Sequence, residues 1–403
     1  MIANYAKKTL ALLCIIITII FLSGCEKKKY YKYTLALESA FNTVNSVTVF
    51  TLGETDQETL KKTRDDLNGI LRELDDKFNV QDRDTAAKTD LMRVNENAGV
   101  APVEVDREVI EVLEVALTIA ALSKVNGVAL YDPTIMPVAD LWDITNRQYN
   151  MFDDNRIPDE DLPTEAEITT ALALVNYRDV EIDKEENTVF LKKAGMKIDL
   201  GSIVKGYAAD KIKAYLLEQG FTKAIIDIGR NIQTVGQFVN SDLEDAPWKI
   251  GIQRPYATIF DKDYAETQII GVLEIADLTV VTSGIYEKYI YSESGKQYHH
   301  IFNPRTGYPM ENDVVSVTVI CAESVYGDAL STTLFLLGID RAMEMIASLD
   351  FEVETLWVLR TEEEGKKYAI YVSAGLADIF DFNEAVESKK YVYKGVYNAQ
   401  TGN

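Results

Sequence analysis

The sequence predicts a protein that mixes helices and strands, and three observations carry that expectation. Residues 41–50, FNTVNSVTVF, alternate in the manner of a half-buried strand, and residues 55–78 then switch to helical spacing. Thr164, with Glu167 three residues on, has the form of a capping box at a helix start. The apolar run from Val315 to Ala322 has the composition of a buried strand and leads into a second helical pattern. At 403 residues, 47% of them apolar, the chain is long enough for one large or two intermediate domains. Its formal net charge of −23 disfavours nucleic acid or an anionic membrane as a surface partner. A phosphorylated ligand stays possible only where a metal ion, backbone N–H groups or a placed cation cancels the repulsion.

Taken in order, the chain opens with Lys7 and Lys8 before an apolar run from Leu10 to Leu22, too short for a comfortable membrane span but right for a signal-peptide core. The run ends in Leu22-Ser23-Gly24-Cys25, which resembles the lipobox of bacterial lipoproteins. That resemblance implies cleavage after residue 24, a lipid on Cys25, and an extracytoplasmic protein anchored to the bacterial membrane. Residues 25–36 are then expected to be a tether, 37–385 the folded body, and 386–403 a tail. Cys14 leaves with the signal and Cys25 carries lipid, so Cys321 stands alone as a small core residue and no disulfide forms.

Within the body, Leu60, Leu67, Ile70, Leu71 and Leu74 mark one face of the first helix. A second helix over 106–124 carries Val109, Val112, Leu113, Ala116 and Ile119, with Asn126-Gly127 as its expected C-cap. In residues 129–142, Asp132-Pro133 is turn chemistry, and Pro137 is expected to keep the backbone out of a helix. Residues 146–163 are an exposed excursion, and Val180 to Asp183 with Thr188 to Leu191 form a hairpin. Trp248 to Pro255 is a further core strand, and the tyrosine-rich part beyond residue 350 adds strands to the sheet.

Four stretches bear chemistry. Asp199-Leu-Gly-Ser-Ile-Val-Lys205-Gly-Tyr-Ala-Ala-Asp210 opens a helix, so its first N–H groups and Lys205 could meet a phosphate. The spacing is not that of a nucleoside-triphosphate loop. Ile226-Asp-Ile-Gly229-Arg230-Asn231-Ile232 turns on a glycine of positive φ, with Arg230 expected as an exposed turn residue rather than an anion contact. Adjacent His299 and His300 point to opposite faces of an extended chain, so one faces a cleft and the other is free to be exposed. Asp328 and Thr332 share a helix face that Ser324 could cap, in a helix whose first turn is expected to carry Asp328. Together they offer hard oxygen donors for Mg²⁺, although the same spacing equally fits an exposed acid above a core threonine.

Five motifs, DLGSIVKGYAAD, IDIGRNI, YHHIFNPRTGYP and GDALSTTLFLLG from these stretches and TSGIYEKY before the histidines, resemble in their chain order the ApbE family of FAD:protein FMN transferases. YDPTIMPVADLW and the early FNTVNSV extend the resemblance over about residues 41–340. It implies an α+β fold of two intertwined α/β lobes, T-fold-like, with mixed or antiparallel sheets and an FAD cleft between them. It also implies a Mg²⁺-dependent enzyme that splits the FAD pyrophosphate, attaches FMN to a Ser or Thr of an acceptor protein, and releases AMP. By position, Asp328 and Thr332 match metal side chains, and Ser202 matches a metal contact through its carbonyl. Phe41, Tyr131, Asp132, Asp199, Ser202 and Lys205 match cofactor contacts, while His300, Lys205 and Asp328 match the catalytic group. His300 is the candidate for positioning or deprotonating the acceptor hydroxyl, as an imidazole near its own pKa. The sequence departs from the family where Arg230 replaces a glycine and Asn303 an aspartate. An FAD pyrophosphatase would present the same residues, whereas a lipoprotein that only binds a flavin or another small molecule would have two similar lobes and no reason for the Asp328/Thr332 pair.

Overall fold

A computed structural model describes residues 29–81, 87–150 and 152–398. The predicted signal peptide and Cys25 lie outside the described residues. A nine-stranded sheet forms the frame, in the order Tyr30–Ala36, Asn45–Leu52, Ala224–Ile228, Asn231–Val235, Thr279–Gly284, Val314–Cys321, Glu354–Arg360, Tyr368–Val372 and Tyr391–Val396. Every neighbouring pair is antiparallel except the last. Trp248–Gln253, Ile269–Ile275 and Phe380–Phe382 make a second, three-stranded sheet. Helices, one mixed sheet and separate antiparallel sheets together give the α+β architecture.

The sequence explains the frame. Val314–Cys321 is buried at every residue because strands flank it on both sides and helix Ser324–Leu337 covers it. Helix Gln57–Phe78 begins at Asp56, whose carboxylate accepts the Thr59 N–H at 2.8 Å, and buries Leu60, Leu67, Leu71 and Leu74 as its spacing predicts. The Thr164/Glu167 capping box is present, and the 180–191 hairpin has the predicted ends.

Several expectations give way. The tether assigned to residues 25–36 ends in an edge strand, Tyr30–Ala36, paired along its length with Asn45–Leu52 and burying Leu35. Tyrosines made this segment look polar, but each carries an apolar ring suited to a pleated surface. The tail assigned to 386–403 contains Tyr391–Val396, which joins the sheet parallel to Tyr368–Val372, with Tyr391 buried and its hydroxyl donating to the Pro255 carbonyl. Asn126-Gly127 is not a C-cap: the helix ends at Leu122, and both residues take positive φ in a two-residue hairpin between Lys124–Val125 and Val128–Ala129. Pro137 does not prevent a helix, because Met136–Trp142 places it in the first turn, where its missing N–H costs nothing.

A smaller core cluster of Val138, Trp142, Ile144, Ile168, Ile290 and Phe302 lies beside the main one. Trp142 Nε1 donates to the Gly307 carbonyl at 2.8 Å, tying the Asn303–Gly307 turn to helix Met136–Trp142. Gly307 has φ +70°, and an added Cβ would sit 2.5 Å from Ile168, so this turn demands glycine. The turn is thereby fixed beside His300, at the edge of a cleft.

Candidate active site

A cleft of about 950 Å³ is lined by residues from all the chemistry-bearing stretches, among them Phe41, Asp199, Lys205, Arg230, His300 and Asp328. Its base is the contact between helices Val204–Glu218 and Ser324–Leu337. Gly206 makes that contact possible: a Cβ there would lie 2.1 Å from the Ser324 carbonyl oxygen. Its backbone N–H donates to Asp328 Oδ2 at 3.1 Å, and Lys205 Nζ lies 3.1 Å from both Asp328 oxygens and 2.8 Å from the Gly201 carbonyl. Thr332, one turn beyond Asp328, faces the same cleft, with its hydroxyl 3.3 Å from Ser283 Oγ.

Two local expectations are corrected here. Asp328 lies in the second turn of its helix and is only 4% exposed, so the alternative of an exposed acid is excluded. Ser324 does not cap the helix; its hydroxyl donates to Asn231 Oδ1 at 2.8 Å, and the N–H groups of Ser324 and Val325 donate instead to Asp210.

Among the described residues no three His, Cys, Asp or Glu side chains gather as a metal cluster. The donors that are present nonetheless suit Mg²⁺, which binds through few protein oxygens and keeps water and phosphate in its other positions. Asp328 supplies a carboxylate, Thr332 a hydroxyl and the 201–202 loop its carbonyls. The Lys205 ammonium sits between the Gly201 carbonyl and the Asp328 carboxylate, so these two already meet at one cation, while Thr332 faces the same cleft one turn along the helix.

The other predicted residues divide. Tyr131 is buried, its hydroxyl 3.1 Å from Ser202 Oγ, and burial keeps the phenol protonated. The Asp132 carboxylate is occupied by the protein, accepting from Thr134 N and Oγ1 and from Tyr177 N, so it shapes its loop. Asp199 Oδ1 accepts the Gly201 N–H at 2.8 Å; burial raises its pKa, against the pull of Lys205 and Lys288. Phe41 takes a positive φ of 53°, its N–H donates to Asp75, and it lines the cleft.

The two histidines separate as the alternation requires, but neither is exposed. His299 is buried, with Nε2 2.9 Å from the Met310 carbonyl and its ring edge-on to Phe335. His300 lines the cleft, and its Nδ1 lies 3.1 Å from the Lys288 carbonyl. A carbonyl only accepts, so Nδ1 carries the proton and Nε2 keeps the lone pair. Burial, helped by the Lys288 charge, pushes the His300 pKa down to about 3, so the imidazole is not near its ordinary value and stays neutral at physiological pH.

Two functional-site residues, Glu287 and Lys288, were not singled out by sequence. Glu287 and Lys288 both line the cleft; burial raises the Glu287 pKa and, with Lys205 nearby, lowers that of Lys288. Arg230 is the exposed turn residue expected, at φ +69°, yet it also pairs with Glu287 at 3.1 Å and donates to Gln253 Oε1 at 2.7 Å. The signal was an opposite-charge pair, Glu287-Lys288, between tyrosines at a strand end.

Comparison with known proteins agrees with this arrangement. The sequence model of the ApbE family matches residues 41–357. This chain belongs to the ApbE family. An FAD:protein FMN transferase of Klebsiella pneumoniae (strain 342) is 35% identical over 277 residues, 69% of this chain and 77% of the relative. One from Treponema pallidum (strain Nichols) is 32% identical over 293 residues, 72% of this chain and 74% of the relative. The flavin transferase ApbE of Vibrio cholerae superposes with a TM-score of 0.68 at 25% identity, covering 87% of this chain and all of the other. The ApbE protein of Thermotoga maritima gives 0.64 at 26% identity, with 90% and 99% covered.

Proposed function

We propose that this protein is a Mg²⁺-dependent FAD:protein FMN transferase, held outside the cytoplasmic membrane by a lipid on Cys25. The observation that carries the proposal is the convergence of Lys205, Asp328 and Thr332 at the base of a cleft large enough for a dinucleotide. Relatives bearing that activity by name support it. A divalent cation held by Asp328, Thr332 and the Ser202 carbonyl would neutralise pyrophosphate charge. Lys205 and the start of its helix face the same group and stabilise charge on the departing AMP phosphate. The hydroxyl oxygen of an acceptor Ser or Thr bonds to the FMN-side phosphorus as the pyrophosphate P–O bond breaks, and AMP leaves with the bridging oxygen. Neutral His300 accepts a hydrogen bond from that hydroxyl at Nε2 and aims it; with so low a pKa it orients the nucleophile more than it stores the proton, which passes to solvent.

Incubating the protein with FAD and Mg²⁺, with and without an FMN-binding acceptor domain, tests the proposal. AMP release with an FMN-sized mass gain on the acceptor is expected. AMP release with FMN left free would identify a pyrophosphatase, and tight FAD binding without AMP would identify a carrier.

A further inference from the structure

We infer that Asp210 is a positioning residue for the reaction: from the helix of Lys205 it grips the N-terminus of the helix carrying Asp328 and Thr332, and so fixes the two halves of the site. The inference rests on the transferase proposal. Helix Ser324–Leu337 has no side-chain N-cap of its own. Its leading N–H groups therefore need acceptors from elsewhere. Asp210 provides both, Oδ1 at 2.9 Å from Ser324 N and Oδ2 at 2.8 Å from Val325 N. Negative charge at that end is favourable to the helix dipole. The helices are thus pinned at two points: Lys205 and Gly206 N–H on Asp328, and Asp210 on Ser324 and Val325. Between the pins Gly206 leaves no gap, since its added Cβ would overlap the Ser324 carbonyl. A slip at the second pin moves Asp328 relative to Lys205, because both sit on rigid helices.

The carboxylate is held at a cost. Burial pushes the Asp210 pKa up to about 6; Glu323 at the start of the facing helix raises it further, while Lys213 on its own helix and the two N–H groups lower it. Cys321, on the strand beneath, has its thiol pushed up to about 12, chiefly by burial and next by Asp210, so it stays neutral. Asparagine caps helices about as well as aspartate. Only a carboxylate, however, offers two acceptor oxygens to two adjacent N–H groups. Because the folded pKa lies above the ordinary 3.8, this group's contribution to stability falls as pH rises from about 4 to about 6. The grip on the helix strengthens over the same range, so stability and positioning point in opposite directions.

Asp210→Asn in the full chain separates them. Backbone amides of Ser324 and Val325, followed by hydrogen exchange without FAD, are expected to exchange about tenfold faster in the variant. AMP release from FAD is expected to fall about tenfold in kcat with KM for FAD within about twofold, while Tm at pH 7.5 stays level or rises. The acid limb near pH 6 in the wild-type rate should vanish in the variant, and Asp210→Glu should recover part of kcat. Unchanged amide exchange, unchanged kcat, or kcat and Tm falling together would each overturn the inference. A wild type that releases no AMP defeats the transferase proposal instead, and the amide exchange then decides the clamp alone.

Discussion

The base of the cleft and its mouth are built on different principles. At the base, two helices touch through Gly206, and Lys205, Asp328 and the Gly206 N–H lock onto one another at about 3 Å. At the mouth, strand ends and turns bring Arg230, Glu287, Lys288 and His300 together, and burial moves the ionisation of the last three. The base is organised by position, as a cation and phosphate site must be. The mouth is organised by burial of ionisable groups, with a neutral imidazole and a lysine whose pKa is lowered by burial and by the Lys205 charge. Electrostatic stabilisation demands fixed geometry, whereas presenting a hydroxyl demands a lone pair free of its proton.

The largest effect should come from the base. Asp328→Ala removes the only carboxylate in contact with Lys205 among the described residues and the main proposed metal donor, so AMP release from FAD should fall at least about a hundredfold. Near-normal AMP release in that variant, measured at saturating Mg²⁺, would remove the metal assignment and with it the distinction between the two regions.

The next effect belongs to the mouth. His300→Ala should slow FMN transfer to an acceptor by roughly ten- to a hundredfold while leaving KM for FAD within about threefold. Equal losses in transfer and FAD affinity would mean that His300 belongs with the binding surface. A pH test follows from the same burial. The folded pKa values of about 3 for His300 and about 4 for His299 lie below the ordinary 6.5. The unfolded chain therefore binds more protons below pH 6.5, and these two groups lose stability as pH falls from there toward 4. The drop in Tm between pH 7 and pH 5 should be smaller in His300→Ala than in the wild type. An equal drop would show that the His300 ring is free to charge, and the mouth would lose its defining property.

The base was the more legible region because it is written in contiguous residues. Asp328 and Thr332 are one turn apart, so periodicity puts them on one helix face, and Lys205-Gly206 stand out as a cation and a glycine at a helix start. Their meeting across 123 positions was not legible from spacing and came through the family resemblance. Hairpins and capped helices followed from local chemistry, as at Thr164 and at Val180–Leu191. The edge strand at Tyr391–Val396 reads as a tail because a parallel pairing, with no local turn, decides it. Tyr30–Ala36 reads as a tether because its tyrosines make it look polar, although its partner Asn45–Leu52 is the next strand. Lys288 and Glu287 were lost for a related reason: two adjacent charges signify nothing until a fold buries them.

Arg230 offers the smallest effect and the sharpest limit on the contrast. Its φ of +69° is a left-handed conformation that costs a side-chain-bearing residue about 1 kcal/mol and glycine almost nothing. Arg230→Gly relieves that strain and gives up a pair with Glu287 in which the arginine is 62% exposed, an interaction worth about 0–1 kcal/mol. The two changes nearly cancel, so Tm should move by no more than about 3 °C and KM for FAD by no more than about threefold. Glu287 should respond more clearly, because the variant removes the largest influence holding its carboxyl pKa down against burial, and that pKa should rise further. If kcat instead falls more than about tenfold, Arg230 acts through its position as Lys205 does, and the mouth is built on the same principle as the base.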